Sequence, residues 1–352
     1  MTKMMQIFST ARLTPKRTLL AIFFLIFIVP NLHANDTLFP ADESLSTPLA
    51  VELHLPLTEL RKVKADEEAE FAGYLQMSDG IRLPLKIKPR GKSRRTHCDF
   101  PPLWLDFERK KLDDTIWAGQ NKLKLVTHCS NKFAKREYLA HEMFVYRLLN
   151  LFTNNSFQVR ALDITYIDAD GDRQEQRFGF VIEHKKSLAT RLGGELIEKP
   201  GLELSELDSE HATFMGLFAY FIGNTDFSLR QGPDEDCCHN AVPIQIGAAI
   251  FPVPYDFDAA GLVDPPYAAP APNLSIRRVT QRLYRGYCEH NGNLESAIEL
   301  FLNKRAEVQA LIDQFNDVPG FRAKSVSAYL NKFYAIVENP NQVRSKLIKR
   351  CR

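Results

Sequence analysis

The chain has 352 residues, with 45 Lys and Arg against 43 Asp and Glu, a formal net charge of +2, and 45% hydrophobic residues. A balance this close to neutral argues against nucleic acid as the main partner, because phosphate binding needs a concentrated basic surface. The length allows one large domain or two lobes with a substantial core, and no apolar run beyond residue 34 is long enough to span a bilayer.

Lys3, Arg12, Lys16 and Arg17 make the first 17 residues basic with no acid among them; Leu19 to Val29 then form an unbroken apolar run that Pro30 ends. Leu32-His33-Ala34 places a small residue before Asn35. A basic, then an apolar, then a cleavable region predicts a secretory signal peptide over residues 1–34, since the run is shorter than the roughly 20 residues of a membrane anchor. The expected location is periplasmic or secreted. Removing the leader takes the formal charge from +2 to −2 and keeps all six cysteines: Cys98, Cys129, Cys237, Cys238, Cys288 and Cys351. An even count in an oxidising compartment permits up to three disulfides. The repeated tripeptides Thr96-His97-Cys98 and Thr127-His128-Cys129 predict a Cys98–Cys129 bond, with Cys288 expected to pair with Cys237 or Cys238.

Residues 35–48 read as a flexible polar lead-in. Alternating apolar positions predict strands at Leu49–Leu55, Ile81–Ile87, Leu103–Phe107 and Lys122–Val126, with Ser78-Asp79-Gly80 as a hairpin turn. Phe133, Leu139, Met143, Tyr146 and Leu149 recur at helical spacing and predict a helix over 132–152. Strands at Val159–Ile167 and Arg177–Glu183 follow. Asp168 to Asp172 between them resembles a calcium loop, but it lacks the closing Glu of the twelve-residue loop, which favours a hairpin. The second half is predicted helical at 205–222, 293–316 and 320–338, around a loop-and-strand stretch over 223–262 and a Pro/Ala-rich surface segment. The expected plan is α+β, with a β-rich N-lobe over 49–185 carrying one main helix and a mostly helical C-lobe over 186–352.

Three polar clusters carry candidate chemistry. The basic turn Lys88 to Arg95 includes Arg90, Gly91, Ser93 and Arg94 and can present cations and N–H groups to phosphate, or can simply face solvent. Gly223-Asn224-Thr225-Asp226, with His239-Asn240 after it, offers a carboxylate at a helix exit and an amide for a hard cation; an Asn/Asp turn is the alternative. Tyr255-Asp256-Phe257-Asp258 places two carboxylates two residues apart at the end of an apolar strand. In an extended chain they share one face, which suits a divalent cation, whereas a solvated strand end needs none.

In chain order, Arg90-Gly91-Lys92-Ser93-Arg94, Leu123-Lys124-Leu125, Arg136 to Leu149, Phe180-Val181-Ile182-Glu183, Gly223-Asn224-Thr225-Asp226 and Tyr255-Asp256-Phe257-Asp258 resemble the motifs of the spore-coat kinase CotH family. The resemblance spans roughly residues 85–262. It implies a two-lobed protein-kinase-like fold with Mg²⁺ (or Mn²⁺) and ATP as cofactors. Lys124 would contact the nucleotide phosphates, Glu137 or Glu142 would orient that lysine, and Glu183 would sit beside the base. Asp226 would accept the substrate proton, and Asn240, Asp256 and Asp258 would hold the metal, with Arg90, Ser93 and Arg94 replacing a glycine-rich loop. The implied activity is phosphoryl or nucleotidyl transfer to a protein or small-molecule acceptor. The alternatives are an inactive pseudokinase-like binding or scaffolding protein, and a metal-dependent hydrolase using Asp226, His239, Asp256 and Asp258.

Overall fold

A computed structural model describes residues 37–40, 48–63, 67–129, 137–169, 171, 173–231 and 237–352. The predicted leader and most of the lead-in lie outside them. The lead-in is not a free tail throughout, because Leu38 is buried in the first hydrophobic cluster.

Residues 49–182 form a closed seven-stranded barrel. Its strands are β1 (Leu49–Leu55), β2 (Phe71–Met77), β3 (Arg82–Pro89), β4 (Leu103–Phe107), β5 (Lys122–Val126), β6 (Val159–Asp168) and β7 (Gln174–Ile182), in the order β1-β2-β3-β4-β5-β7-β6. All neighbours are antiparallel except β1 and β6, which close the barrel in parallel from Leu49 opposite Leu162 to Leu55 opposite Asp168. Alternation decides what each strand hides. Leu103, Leu105 and Phe107 of β4 and Leu123 and Leu125 of β5 fill the interior, leaving Trp104 and Lys124 outside.

Closure is pinned at one rim by Asp168. Its buried carboxylate accepts from the Leu57 N–H (2.8 Å), the Thr58 hydroxyl (3.0 Å) and the Ala169 N–H (2.9 Å), fastening the end of β6 to helix α1 (Leu57–Leu60). The Asp168 turn is thus a hairpin whose first carboxylate is spent on the chain itself.

This barrel corrects the expected two-lobed, protein-kinase-like fold. A sheet closed on itself is not an open-edged β-rich lobe, and residues 37–352 cohere as one compact unit. Short motifs could not reveal the closure, because parallel pairing of β1 with β6 joins segments more than 100 residues apart.

Against the barrel lies α3 (Glu137–Phe152), and beyond β7 come α4 (Lys185–Arg191) and a small sheet ordered β10-β9-β8, with β8 Glu195–Leu196, β9 Ala241–Ile246 and β10 Ala249–Pro254. The second hydrophobic cluster is built around α5 (Ser209–Ile222), in which every residue from His211 to Ile222 is buried. A helix apolar all round has to lie inside. The Asp208 carboxylate accepts from the His211 N–H at its start, and Gly223 ends it in the left-handed conformation. The predicted helix 293–316 is two helices, α6 (Leu294–Asn303) and α7 (Arg305–Gln314), and Asn293 makes no side-chain cap. Helices α8 (Ala323–Val337) and α9 (Pro340–Lys346) complete the chain.

Cys98 and Cys129 are bonded, as expected. Cys288 instead bonds Cys351, and the adjacent Cys237 and Cys238 bond each other. The chain end lies against the Cys288 turn, with the Cys288 N–H donating to the Arg352 carbonyl and the Arg352 N–H to Gly286, so Cys351 is the nearer partner.

Asp168→Ala should leave the buried Leu57 N–H unsatisfied and lower stability by about 2 kcal/mol. A urea titration checks this through an earlier midpoint.

Candidate functional site

Four chain segments converge beside the barrel wall. The loop after β10 is stitched to the exit of α5: the Gly261 N–H donates to the Gly223 carbonyl (3.0 Å) and the Leu262 N–H to that of Ile222 (3.0 Å). The Tyr255 N–H donates to the Asn240 carbonyl (2.9 Å), bringing the third loop alongside. Only glycine suits position 223, where φ is +70° and a Cβ would fall 2.0 Å from the Tyr329 hydroxyl oxygen.

The fourth segment is α2 (Lys92–His97). The sequence reads this stretch as a basic turn, but it is a short helix entered through Gly91 at φ +81°. It carries Arg94 into the interior. Arg94 Nη2 donates to Glu142 Oε2 (2.8 Å) and Arg94 Nε to Asp258 Oδ2 (3.0 Å), while the Tyr267 hydroxyl also donates to Asp258 (3.2 Å). Glu142 is thus bonded to Arg94. The guanidinium proton is held tightly: burial works against it, but Glu142 and Asp258 outweigh burial. Burial pushes the Glu142 carboxyl up to about 7, opposed by Arg94 and helped by Asp258 and Asp256. Asp258 is raised for the same reasons, burial first and then Asp256.

Tyr138, Glu142 and Tyr146 share one face of α3 at four-residue spacing. Tyr138 accepts from the Cys129 N–H (2.9 Å), and Tyr146 accepts from the Asp256 N–H (2.8 Å). Asp256 itself sits at φ +60°, so the strand has already ended at Pro254 and the two carboxylates do not share an extended face as the sequence implies. Its charge bears on Arg90, Arg94, Lys124, Glu142 and Asp258 together, which makes it the electrostatic centre of the cluster.

Lys124 pairs with Trp104 across β4 and β5, and its ammonium lies 3.9 Å from the centre of the Tyr255 ring and 5.7 Å from that of Trp104. Burial pulls it down to about 8, helped by Arg90 and Lys185 and opposed by Asp256. The Arg90 guanidinium lies 6.0 Å from the centre of the Trp104 ring, and its Nε is buried with no hydrogen-bond partner. Lys124 borders a cavity of about 710 Å³ walled by Trp104, Phe157, Ile182, Val242, Pro243 and Tyr255, with the Cys237–Cys238 bond at its margin; Arg90 and Asp256 lie outside its lining. That is the size of a small-molecule site.

Asp226 lies outside the cavity lining. Both its oxygens are engaged, Oδ1 with His239 Nε2 (2.9 Å) and Oδ2 with Asn240 Nδ2 (3.1 Å); Asn240 also donates to the Asp226 carbonyl (2.8 Å). The Asp226 hydrogen bond raises the His239 pKa, against burial. Glu183 lines the cavity but is clamped by Arg191 (2.8 and 3.0 Å) and the Gln158 N–H (3.1 Å). Ser93 and Glu137 lie on α2 and α3, their side chains outside the described part.

Among the described residues no group of three His, Cys, Asp or Glu side chains is placed to hold a metal by itself. The Asp256 carboxylate and the Asn240 side-chain amide oxygen are hard donors, and Mg²⁺ characteristically takes one or two protein carboxylates plus substrate phosphates. The donor set fits an ion shared with a polyphosphate. Trp104, Tyr255 and Tyr267 were missed as site residues. Trp104 was legible in principle, as the one aromatic at an outward position of β4.

Comparison with protein-family models and with curated proteins finds no match.

Lys124 should react with an amine-selective reagent at a rate half-maximal near pH 8 and rising with pH, as the neutral amine appears. Exposed lysines should need a pH near 10. Peptide mass spectrometry across a pH series measures it, and a Lys124 profile matching the exposed lysines would contradict the buried placement.

Proposed function

We propose that this chain binds a nucleotide in the cavity beside Lys124 and transfers its phosphoryl or nucleotidyl group to a protein or small-molecule acceptor. The observation that carries the reading is Lys124 on the wall of an aromatic-lined cavity, with Arg90 and Asp256 near enough for their charges to act on it. A flat base suits the Trp104 and Tyr255 walls, and Lys124 and the unpartnered Arg90 Nε suit phosphate oxygens. Asp256 and Asn240 would hold Mg²⁺ or Mn²⁺, whose chemistry when bound is to neutralise charge on the transferring group. Lys124 and Arg90 orient the phosphates, the buried Arg94 fixes Asp258 and Glu142 around them, and Asp226 stands at the acceptor side with His239 on one oxygen and Asn240 on the other. Kinship with the CotH family belongs to this proposal; the kinase-like fold does not.

A second reading, nucleotide binding without turnover, is favoured by one observation. Both Asp226 oxygens are already occupied, so the carboxylate must exchange a partner before it can take a proton. The hydrolase reading needs a metal held by protein alone and has less support.

Mg²⁺-ATP at a hundredfold excess over its Kd should add about 2.7 kcal/mol and raise the melting temperature by several degrees. Asp256→Ala and Lys124→Met should abolish the shift. Asp226→Asn should keep the shift and lose transfer of label from γ- or α-labelled ATP. Turnover absent from the unaltered protein across an acceptor library would leave the binding reading, and no shift with any nucleotide or divalent ion would end both.

Export is part of the same proposal, and three disulfides support it, because such bonds persist in oxidising compartments. Expressed with its leader, the protein recovered outside the cytoplasm should begin at Asn35 on N-terminal sequencing; a retained Met1 would refute cleavage there.

A further inference from the structure

A second concave surface lies away from the residues assigned above. Helices α8 and α9 and the segment 275–284 enclose a groove of about 900 Å³. Its floor is apolar, formed by Tyr220, Leu283, Tyr284 and Ile336, and its rim carries Lys332, Lys346 and Arg350. No Asp or Glu lines it. Arg282 also reaches the groove but is spent internally, donating to the carbonyls of Tyr220 (2.9 Å), Phe221 (3.0 Å) and Tyr329 (2.8 Å). The three rim cations form no ion pair among the described residues.

Two further features extend the same face. Arg350 belongs to the turn Ile348–Arg350, whose Ile348 is one of only two large hydrophobic side chains exposed among the described residues, at 45%. Residues 340–352 carry Arg344, Lys346, Lys349, Arg350 and Arg352 and no Asp or Glu. Residues 35–352 as a whole have a formal charge of −2, so this basic face is a local asymmetry and not a consequence of overall charge.

We propose that the groove between α8 and α9, with Ile348 at its edge, docks on the surface of a membrane containing anionic phospholipids. The cations would meet the headgroup phosphates, and the apolar floor and Ile348 would meet the upper acyl region. A free phosphate would leave the apolar floor unused, which is why the occupant is lipid. Each basic side chain close to an anionic bilayer strengthens binding several-fold, and the attraction is screened by salt.

The test is flotation of the full chain with vesicles of neutral phosphatidylcholine, and with the same vesicles containing 30 mol% (about one lipid in three) phosphatidylglycerol. Binding should be at least about tenfold tighter to the anionic vesicles and should be lost near 0.5 M salt (roughly a 4 Å screening length). The triple variant K332E/K346E/R350E should weaken it by on the order of 100-fold. All three positions are exposed, so folding should survive; a thermal melt checks this, and Ile348→Ser provides a second variant with a smaller loss. The control R109E/K110E/K111E reverses three exposed charges on the barrel and should bind like the unaltered protein. Any contribution of residues 19–29 is common to all these proteins and cancels in the comparison. Equal binding to both vesicle types, or an equal loss in the barrel control, would overturn the proposal. So would binding to poly-glutamate without binding to anionic vesicles.

Discussion

The candidate site depends on Arg94. One guanidinium, buried to 7% exposure, holds Glu142 from α3 and Asp258 from the loop after β10. It therefore ties the barrel-side helix α2 to both walls of the helical half. Burying three charges is costly, and the arrangement is tolerable only because the planar fork satisfies two carboxylates in fixed directions at once. Lysine could not do this with one point charge. Burial first, and then the neighbouring carboxylates, drive both Glu142 and Asp258 upward. Arg90, Arg94 and Lys124 answer Glu142, Asp256 and Asp258 in number, so the cluster is close to neutral as it stands. A polyphosphate entering it would bring surplus negative charge, and a divalent cation is the smallest addition that restores the balance.

Main-chain groups do much of the positioning, through bonds to each other and to side chains. Gly223 turns the chain out of α5 where a side chain would strike Tyr329, Asn224 accepts from the Asp226 N–H (2.9 Å), and the Tyr146 hydroxyl accepts from the Asp256 N–H. Asn240 and Asp256 are both held at positive φ, conformations that cost energy for residues with a Cβ and that cluster where surrounding structure enforces them. That two of the three such non-glycine residues among the described residues border one cluster is a physical pointer to the site independent of any motif.

What could be read from the chain alone follows from the range of the interactions involved. Strands Leu103–Phe107 and Lys122–Val126 were legible to the residue, because period-two alternation is local and their turn residues flank them. The Cys98–Cys129 bond was legible because its tripeptides repeat beside neighbouring strands. Barrel closure was not: β1 and β6 look like any two strands until their parallel register is known. The short helix α2 was hidden because its six residues, all basic or polar, carry no apolar stripe, and its buried residue Arg94 is charged. The Cys288–Cys351 bond was missed because the nearest cysteines in sequence, Cys237 and Cys238, satisfy each other.

The fold expectation failed, while Arg94 meets Glu142 and Asp258, and Asp226 meets Asn240, and the reason bears on how function should be argued. An order of lysine, glutamate, aspartate, asparagine and aspartate constrains which groups can meet only if the intervening elements bring them to one place. Here a barrel strand, a helix on its flank and two loops stitched by Gly223 and Asn240 do so without an open-edged lobe. Chemistry belongs to the site and not to the architecture that carries it. The case for nucleotide chemistry therefore rests on Lys124 facing an aromatic cavity, with Arg90 and Asp256 acting on it electrostatically, and it would stand or fall on those residues in any fold. The same reasoning separates this site from the basic groove at α8 and α9. There the cations have no carboxylate partners and surround an apolar floor, an arrangement that favours a charged surface with an oily interior over a soluble nucleotide.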